Sequence, residues 1–394
     1  MRRPIRRWSL GACCLALLTW CGTRNREDRV LAQYAVPSAT SWPLYRGTSQ
    51  QLGVAPGKLA SRLKVVWKFR TGGPVTSSPV VMGGRVFIGS GDHSIYALRL
   101  GDGKKIWAYK TGDAVEAPPC VVGGAVVAGS SDGFLYSLDA ATGKLRWKYK
   151  TEDKILGGAN RATAPGGKRT WVLVGSYDDR LHCVDAATGK AVWQFETGNY
   201  VNGSPAISDG KVIFGGCDGV LYVIRLADGK QLHTIPIQDY IAASVAVDGP
   251  HAYLGHYGAE FLCVDLSTRK IAWRYRDRHF PYFSSPAVTA QRVVVGGRDK
   301  RVHCLNRGDG KPVWEFRTRG KVDSSPVVCD NKVVVGSEDG RLYLLGLADG
   351  RELWSYTIGD PVISSPAVVR APGRVNAMVL IGADDGYVYA FGGT

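Results

Sequence analysis

Several things this sequence lacks narrow what it can be. No stretch carries a convincing apolar run of helical period, so amphipathic helices are not its building material. No apolar run reaches the ~20 residues of a membrane-crossing helix; the run from Trp8 to Cys21 stops at 14. No Cys-x-x-Cys occurs, which removes support for a structural zinc site and, in the absence of Cys-x-x-Cys-His, for covalent haem attachment. The only adjacent cysteines, Cys13-Cys14, fall inside that first apolar run. Neither does any histidine–carboxylate motif suggest hydrolysis.

The first residues read as an export signal. Arg2, Arg3, Arg6 and Arg7 precede the apolar run, which is too short to span a bilayer but fits a signal core. Leu18-Thr19-Trp20-Cys21-Gly22 resembles a lipoprotein cleavage box, with Cys21 as candidate lipidation site; Trp20 departs from it, since that position normally holds a small residue. The expected organisation is a signal peptide at 1–21, a linker and capping segment at 22–62, and one domain at 63–394. Net charge is +16, and discounting the four leader arginines leaves +12. The cations are dispersed, and many recur beside one turn (Lys104, Lys144, Lys190, Lys230, Lys270 and Lys311), as solvated turn residues do. Dispersal and export both argue against nucleic acid as a partner. Six cysteines lie beyond the leader. Cys183, Cys263 and Cys304 share one repeat position, and equivalent positions on sheets stacked about 10 Å apart are too distant to bridge. They read as small buried fillers.

What is abundant is repetition. Trp67, Trp107, Trp147, Trp193, His233, Trp273, Trp314 and Trp354 recur at intervals of 40, 40, 46, 40, 40, 41 and 40. Such a period signals a repeat architecture. Within residues 75–110, strand-sized runs are separated by Met82-Gly83-Gly84, Gly91-Asp92-His93 and Gly101-Asp102-Gly103-Lys104, the turn chemistry of hairpins. One repeat is then a four-stranded antiparallel meander, apolar on both faces, which neighbours must cover on both sides. Radial stacking of such sheets is a β-propeller. The last copy stops after three strands, and Leu63-Lys64-Val65-Val66-Trp67-Lys68-Phe69 is a fourth strand without a blade. The expected fold is all-β: an eight-bladed β-propeller of four-stranded antiparallel blades, closed by the N-terminal strand in the last blade.

Ala140-Ala141-Thr142-Gly143-Lys144-Leu145-Arg146-Trp147, after Asp139, and the matching run from Asp185 to Trp193 closely resemble the tryptophan-docking motif of the pyrroloquinoline-quinone (PQQ) repeat propellers. Trp42-Pro43-Leu44-Tyr45-Arg46-Gly47 looks like the opening found before many bacterial members. The resemblance implies one of two kinds of protein: quinoprotein dehydrogenases holding PQQ and calcium, or non-enzymatic scaffolds such as the outer-membrane assembly factor BamB. The dehydrogenase branch implies a carboxylate-rich calcium cage. The candidate acids Asp92, Asp132, Asp178, Asp218, Asp299, Asp339 and Asp384 are each explained by their own hairpin. Recurrent Ser-Ser-Pro, at 77–79, 284–286, 324–326 and 364–366, points to a repeated backbone role near the channel rather than to a nucleophile.

Deviations from the repeat mark a candidate partner surface. His233 replaces the docking Trp, and Gly255-His256-Tyr257-Gly258 replaces the Asp turn. A basic, aromatic connection runs from Arg274 to Tyr282. Two connections of each blade emerge at the same end of the ring, so Tyr200, Tyr240, His256, Tyr257, Arg278, His279 and Tyr282 are expected to share one patch, Tyr and Arg being common interface anchors. The expected function is an exported, non-enzymatic, BamB-like scaffold at the periplasmic or cell-envelope side, monomeric, with no catalytic, cofactor or metal residues. Its partners would be envelope proteins such as outer-membrane assembly components, and its membrane contact a lipid anchor. The alternatives are a PQQ- and calcium-dependent alcohol or sugar dehydrogenase, and a glycan-binding propeller.

Overall fold

The computed structural model describes residues 38–393. The expected signal peptide and Cys21 lie outside the described residues. Among those described there is no helix, and eight antiparallel sheets of the expected meander order form a ring. Blade 1 is Val80–Met82, Arg85–Ser90, Ser94–Arg99 and Lys105–Lys110, running from the channel outward. Blades 2 to 7 repeat it. In blade 8, Ala367–Val369, Met378–Gly382 and Tyr387–Gly393 are followed outward by Leu63–Arg70, which pairs antiparallel with the third strand from Leu63↔Gly393 to Arg70↔Tyr387.

Burial follows position in the blade. The second strand is covered on both faces, so Val86, Phe87 and Ile88 are all buried. The outermost strand is covered on one face only, and Lys105–Lys110 buries Trp107 while its neighbours alternate outward. Most docking tryptophans cross to the next blade. Trp67 Nε1 donates to the Leu100 carbonyl (2.9 Å), Trp147 to Ala186 (3.0 Å) and Trp314 to Leu347 (2.8 Å). Each ring lies on a glycine in left-handed backbone. A Cβ on Gly143 (φ 73°) would sit 2.6 Å from the Trp107 ring, so the Thr-Gly turn is a seat for the indole. All six described cysteines are free.

The segment before the first blade threads the ring instead of lying over it. Trp42 bridges to Val81 in blade 1, and the Pro43 carbonyl accepts from Val121 in blade 2. Ser49 takes Ile207 in blade 4, Gln50 takes Val247, Leu52 takes Val288, and Gly53 takes Val328. Val54–Ala55 then pairs parallel with Val328 and Cys329. In blade 3 the matching Arg161 N–H is satisfied by its neighbour Asn160 Oδ1, while Asn160 Nδ2 donates to Ser49. The inner edges of the blades, which would otherwise present unpaired backbone to the channel, are thus capped by one strand of chain.

Candidate functional site

The girdle gives the channel a floor. Arg46 is 1% exposed, and its guanidinium donates to the carbonyls of Ser325 (3.0 Å), Pro286 (2.9 Å) and Pro326 (2.5 Å). Burial lowers its pKa to about 10. Above it Tyr45 places its hydroxyl 2.9 Å from Ser325 Oγ. Gly158 leaves the room Tyr45 occupies: a Cβ there would lie 3.3 Å from that of Tyr45. What remains is a funnel of about 190 Å³ that opens where the outer strands return to the inner ones, with Glu116, Asn202, Phe283 and Asp323 among its lining.

A belt of serines runs round the funnel from blade 4 to blade 1, interrupted by Pro118 and Gly158 at the matching positions of blades 2 and 3. The backbone N–H of Ser204 donates to Ser244 Oγ (2.8 Å), Ser244 to Ser285 (3.1 Å) and Ser285 to Ser325 (2.8 Å). Ser325 donates to Ser365 (3.0 Å), and Ser365 to Ser78 (2.9 Å), across the join between last and first blades. The first serines are buried and donate to carbonyls, as Ser324 does to Ser364 and Ser364 to Ser77. Ser-Ser-Pro is therefore a repeated backbone device. Gly129-Ser130-Ser131-Asp132-Gly133 has the spacing of a hydrolase elbow, but here it joins strand to strand, without the helix such an elbow requires.

The loop aspartates are staples between blades. Asp92 Oδ2 accepts from the Tyr96 hydroxyl (2.5 Å) and from the Gly72 N–H (2.6 Å) in the connection from the preceding blade. Burial opposes ionisation of Asp92, yet these donors together hold its pKa below the ordinary carboxylate value. Asp132, Asp218 and Asp339 repeat the pattern with Tyr136, Tyr222 and Tyr343. Histidine takes the tyrosine's place in blades 3 and 6, as His182 with Asp178 and His303 with Asp299. One assignment needs correcting. In blade 8 the staple is Asp385, bonded to Tyr389, and not Asp384, which stands one residue earlier. The carboxyl of Asp384 is raised by burial, then by Asp360, Glu338 and Asp385. Among the described residues, Asp277, His303 and Glu315 bring three ligand atoms within 4.8 Å. Both His303 ring nitrogens already face partners, Tyr275 at 3.1 Å and Asp299 at 3.2 Å, and Glu315 pairs with Arg301.

The expected patch divides. Tyr200, Tyr240 and Tyr257 are exposed (43%, 54% and 51%), as are Arg278 and His279. His256 and Tyr282 are not surface residues. His256 is buried, takes the Gly258 N–H on Nδ1 (3.1 Å) and has Glu260 3.7 Å from Nε2. Tyr282 sits edge-on to Phe261 and His303 in the core between blades 5 and 6. Alternation along a connection turns Tyr282 inward and Phe283 toward the funnel. The exposed rings belong to a wider rim. Tyr200 stacks on Tyr177 at 4.6 Å, with Lys154 over the latter. Tyr240 meets Tyr257 edge-on at 6.1 Å, and Tyr257 meets Phe283 at 5.4 Å. Arg298, paired with Asp323 at 2.6 Å, covers Phe283 at 3.7 Å. Tyr177, Phe283 and Arg298 escaped the sequence reading. Tyr177 and Arg298 occupy the repeat position of Tyr257, just before the staple, so aligning the copies on that aspartate would have found them.

The family model described as outer membrane protein assembly factor BamB matches residues 156–239 and 234–393. No curated protein matches the chain. Among solved structures, BamB from Moraxella catarrhalis is 20% identical with a TM-score of 0.69, over 84% of this chain and 98% of that one. A europium-containing methanol dehydrogenase is 15% identical with a TM-score of 0.77, over 93% and 100%. The quinohemoprotein alcohol dehydrogenase from Comamonas testosteroni is 16% identical with a TM-score of 0.77, over 94% and 83%. These likenesses establish the fold, which scaffold and enzyme share. The family match runs through more than half of the sequence, and the chain belongs to the BamB family of PQQ-like β-propellers.

Proposed function

We propose that this protein is an exported, non-enzymatic, BamB-like scaffold of the cell envelope that seats a protein partner on the aromatic rim of its funnel. The observation that carries this reading is the set of exposed rings Tyr200, Tyr240 and Tyr257 on blades 3 to 6, backed by the half-buried rings of Tyr177 and Phe283. Exposed aromatic side chains gathered beside an arginine are the composition of an interface core. They offer contact area at low entropic cost, and a few such anchors carry most of a binding energy.

The dehydrogenase reading suits the funnel poorly. PQQ carries carboxylates, and its seat wants cations. Among the described residues that line it, the charged ones are Glu116 and Asp323. The guanidinium of Arg46 is committed to three backbone carbonyls beneath Tyr45. Calcium wants six or more oxygens, and the loop aspartates are held by tyrosine, histidine and backbone donors.

Photo-crosslinking in the producing cell tests the proposal. A photoreactive residue at Tyr240 should trap a discrete envelope protein that one at Lys105, on the outer strand, does not. Replacing Tyr200, Tyr240 and Tyr257 together by Ala should weaken capture at least ~30-fold, from about 2 kcal/mol at the best anchor. Crosslinks only at Lys105 would count against the rim. Dye-linked alcohol oxidation after reconstitution with PQQ and calcium, abolished by a chelator, would favour the enzyme.

A further inference from the structure

We propose that the end of the ring opposite the funnel mouth is a membrane-docking face that lies on an anionic lipid bilayer. The antiparallel meander sends the first-to-second and third-to-fourth turns of every blade to this end. The lysines that recur one residue past the left-handed turn residue, glycine in all but blade 5 where it is Arg269, are thereby gathered into a crown: Lys104, Lys144, Lys190, Lys230, Lys270 and Lys311, all exposed. Arg351 stands at that position in blade 7, 83% exposed at its side chain but paired with the turn acid Asp349 at 2.6 Å. In all but one blade no turn acid pairs with these lysines. Asp139 Oδ1 accepts from the backbone of Ala141 and Thr142, and Oδ2 takes Arg146; Asp102 and Asp228 take Arg99 and Arg225. Of the six lysines, Lys311 alone has an ion pair among the described residues, with Asp309. The inserted loop of blade 3 adds exposed Lys168 and Arg169 to the same end.

A second observation is independent of charge. The exposed large apolar side chains sort by end and by type. At the mouth they are aromatic, namely Tyr200, Tyr240, Tyr257 and Phe280. At the basic end they are aliphatic. Ile106, Leu145, Val192, Leu232, Val313 and Leu353 each follow a crown cation by one or two residues. Val375, on the extended connection of blade 8, is 82% exposed, beside Arg370 and Arg374. Aliphatic side chains interleaved with lysine are the composition of a surface resting at the headgroup boundary.

The chain also enters the body here. The Ala39 carbonyl accepts from Arg370 (2.5 Å), and Trp42 bridges to Val81. The leader and Cys21 precede that point in the sequence. Any anchor they provide joins the described body through the chain that enters at this end. One acyl chain holds a protein only marginally, and a polybasic surface is the second signal that makes attachment stable. The face would rest on lipid and the funnel mouth would point away from it. From the sequence, membrane contact is expected only through a lipid anchor, because lysines recurring beside one turn read as solvated turn residues.

Co-sedimentation of the full chain with vesicles tests this, phosphatidylglycerol-containing against pure phosphatidylcholine. Near an anionic surface each basic residue is worth about fivefold in partitioning. Binding should favour the anionic vesicles at least ~100-fold at low salt and fall steeply by 0.5 M salt, where the screening length is under ~5 Å. The quadruple variant Lys104→Glu, Lys144→Glu, Lys190→Glu, Lys230→Glu should lose that preference. A variant of equal net charge at the mouth end, Lys110→Glu, Lys148→Glu, Lys150→Glu, Arg319→Glu, should keep most of it. Circular dichroism of both confirms folding. Equal binding to both lipids, or equal loss in both variants, overturns the proposal. So does retention on heparin without vesicle binding, the mark of a polyanion site. The rim variants should bind vesicles as the parent does, which separates failure of this proposal from failure of the partner reading.

Discussion

At the scale of single residues, the molecule is held by polar groups whose partners lie one blade away. Asp92 joins a tyrosine of its own blade to the backbone of the preceding connection, so a turn residue is also a tie between sheets. Blade 5 lacks this tie. Gly258 stands at the aspartate's position, and the buried His256 beside it makes its bond within its own turn. Burial is the main influence on His256 and lowers its pKa, against the nearby Asp239 and Glu260. His233 is lowered too, by burial and then by Arg269 and Lys211. The sign follows. Above pH ~6.5 both histidines are neutral, folded or unfolded, and contribute no pH dependence. Below it the unfolded chain takes up protons that the folded chain refuses, so stability falls as pH drops toward the folded pKa. Thermal melts should show a lower Tm at pH 5.5 than at pH 7.5. His256→Asn, which keeps an acceptor in the turn, should flatten that slope by up to ~1.4 kcal/mol per pH unit. An unchanged slope would mean that His256 does not titrate with unfolding.

At the scale of elements, two irregularities of the sequence prove to be one. His233 stands where a docking Trp is expected, and Arg269 stands where the next blade's turn should have glycine. Gly103, Gly143, Gly189, Gly229, Gly310 and Gly350 all carry φ near 70°, and each would push a Cβ into the preceding blade's Trp ring. Arg269 holds the same left-handed turn at φ 60°. It can bear a side chain there because no indole covers it from the blade before. His233→Trp alone should then destabilise by about 1–3 kcal/mol, as overpacking against the Arg269 Cβ does. Adding Arg269→Gly should recover most of that loss. Denaturant unfolding of the four proteins measures the coupling, and additive effects within ~0.5 kcal/mol would refute it. The strands, turns and blade order were legible in the sequence because each depends on a period of two and on turn residues a few positions apart. Tyr282, expected at the surface, turns inward because its side depends on one step of alternation in an irregular connection. The turn pattern does not separate Asp384 from Asp385, because two adjacent acids satisfy it equally.

At the scale of the whole molecule, three sets of contacts join the blades: the tryptophans between outer strands, broken at His233, the serine belt between inner strands of blades 4 to 1, and the girdle that threads the channel. Arg46 is the buried centre of the last, tying blades 6 and 7 through three carbonyls. Arg46→Ala removes these donors and opens a cavity beneath Tyr45. The expected cost is about 3–5 kcal/mol, read as a lower midpoint in urea. Arg46→Lys should recover only part of it, since an ammonium cannot reproduce the planar fork. A loss below ~1 kcal/mol would show that the floor stands without the guanidinium. What the sequence determined by itself was the repeat, the four-strand unit, the tryptophan docking and the eight-fold count, because a local period and short turns carry that information. Tertiary structure alone decided which side chains meet: that Trp42 to Ala55 runs inside the channel, that Asp92 and its counterparts are tied to neighbouring blades, and that the exposed tyrosines gather at one end and the turn lysines from Lys104 to Lys311 at the other. These depend on residues 40 or more positions apart being brought together when the ring closes, and no local pattern in the chain records such distances.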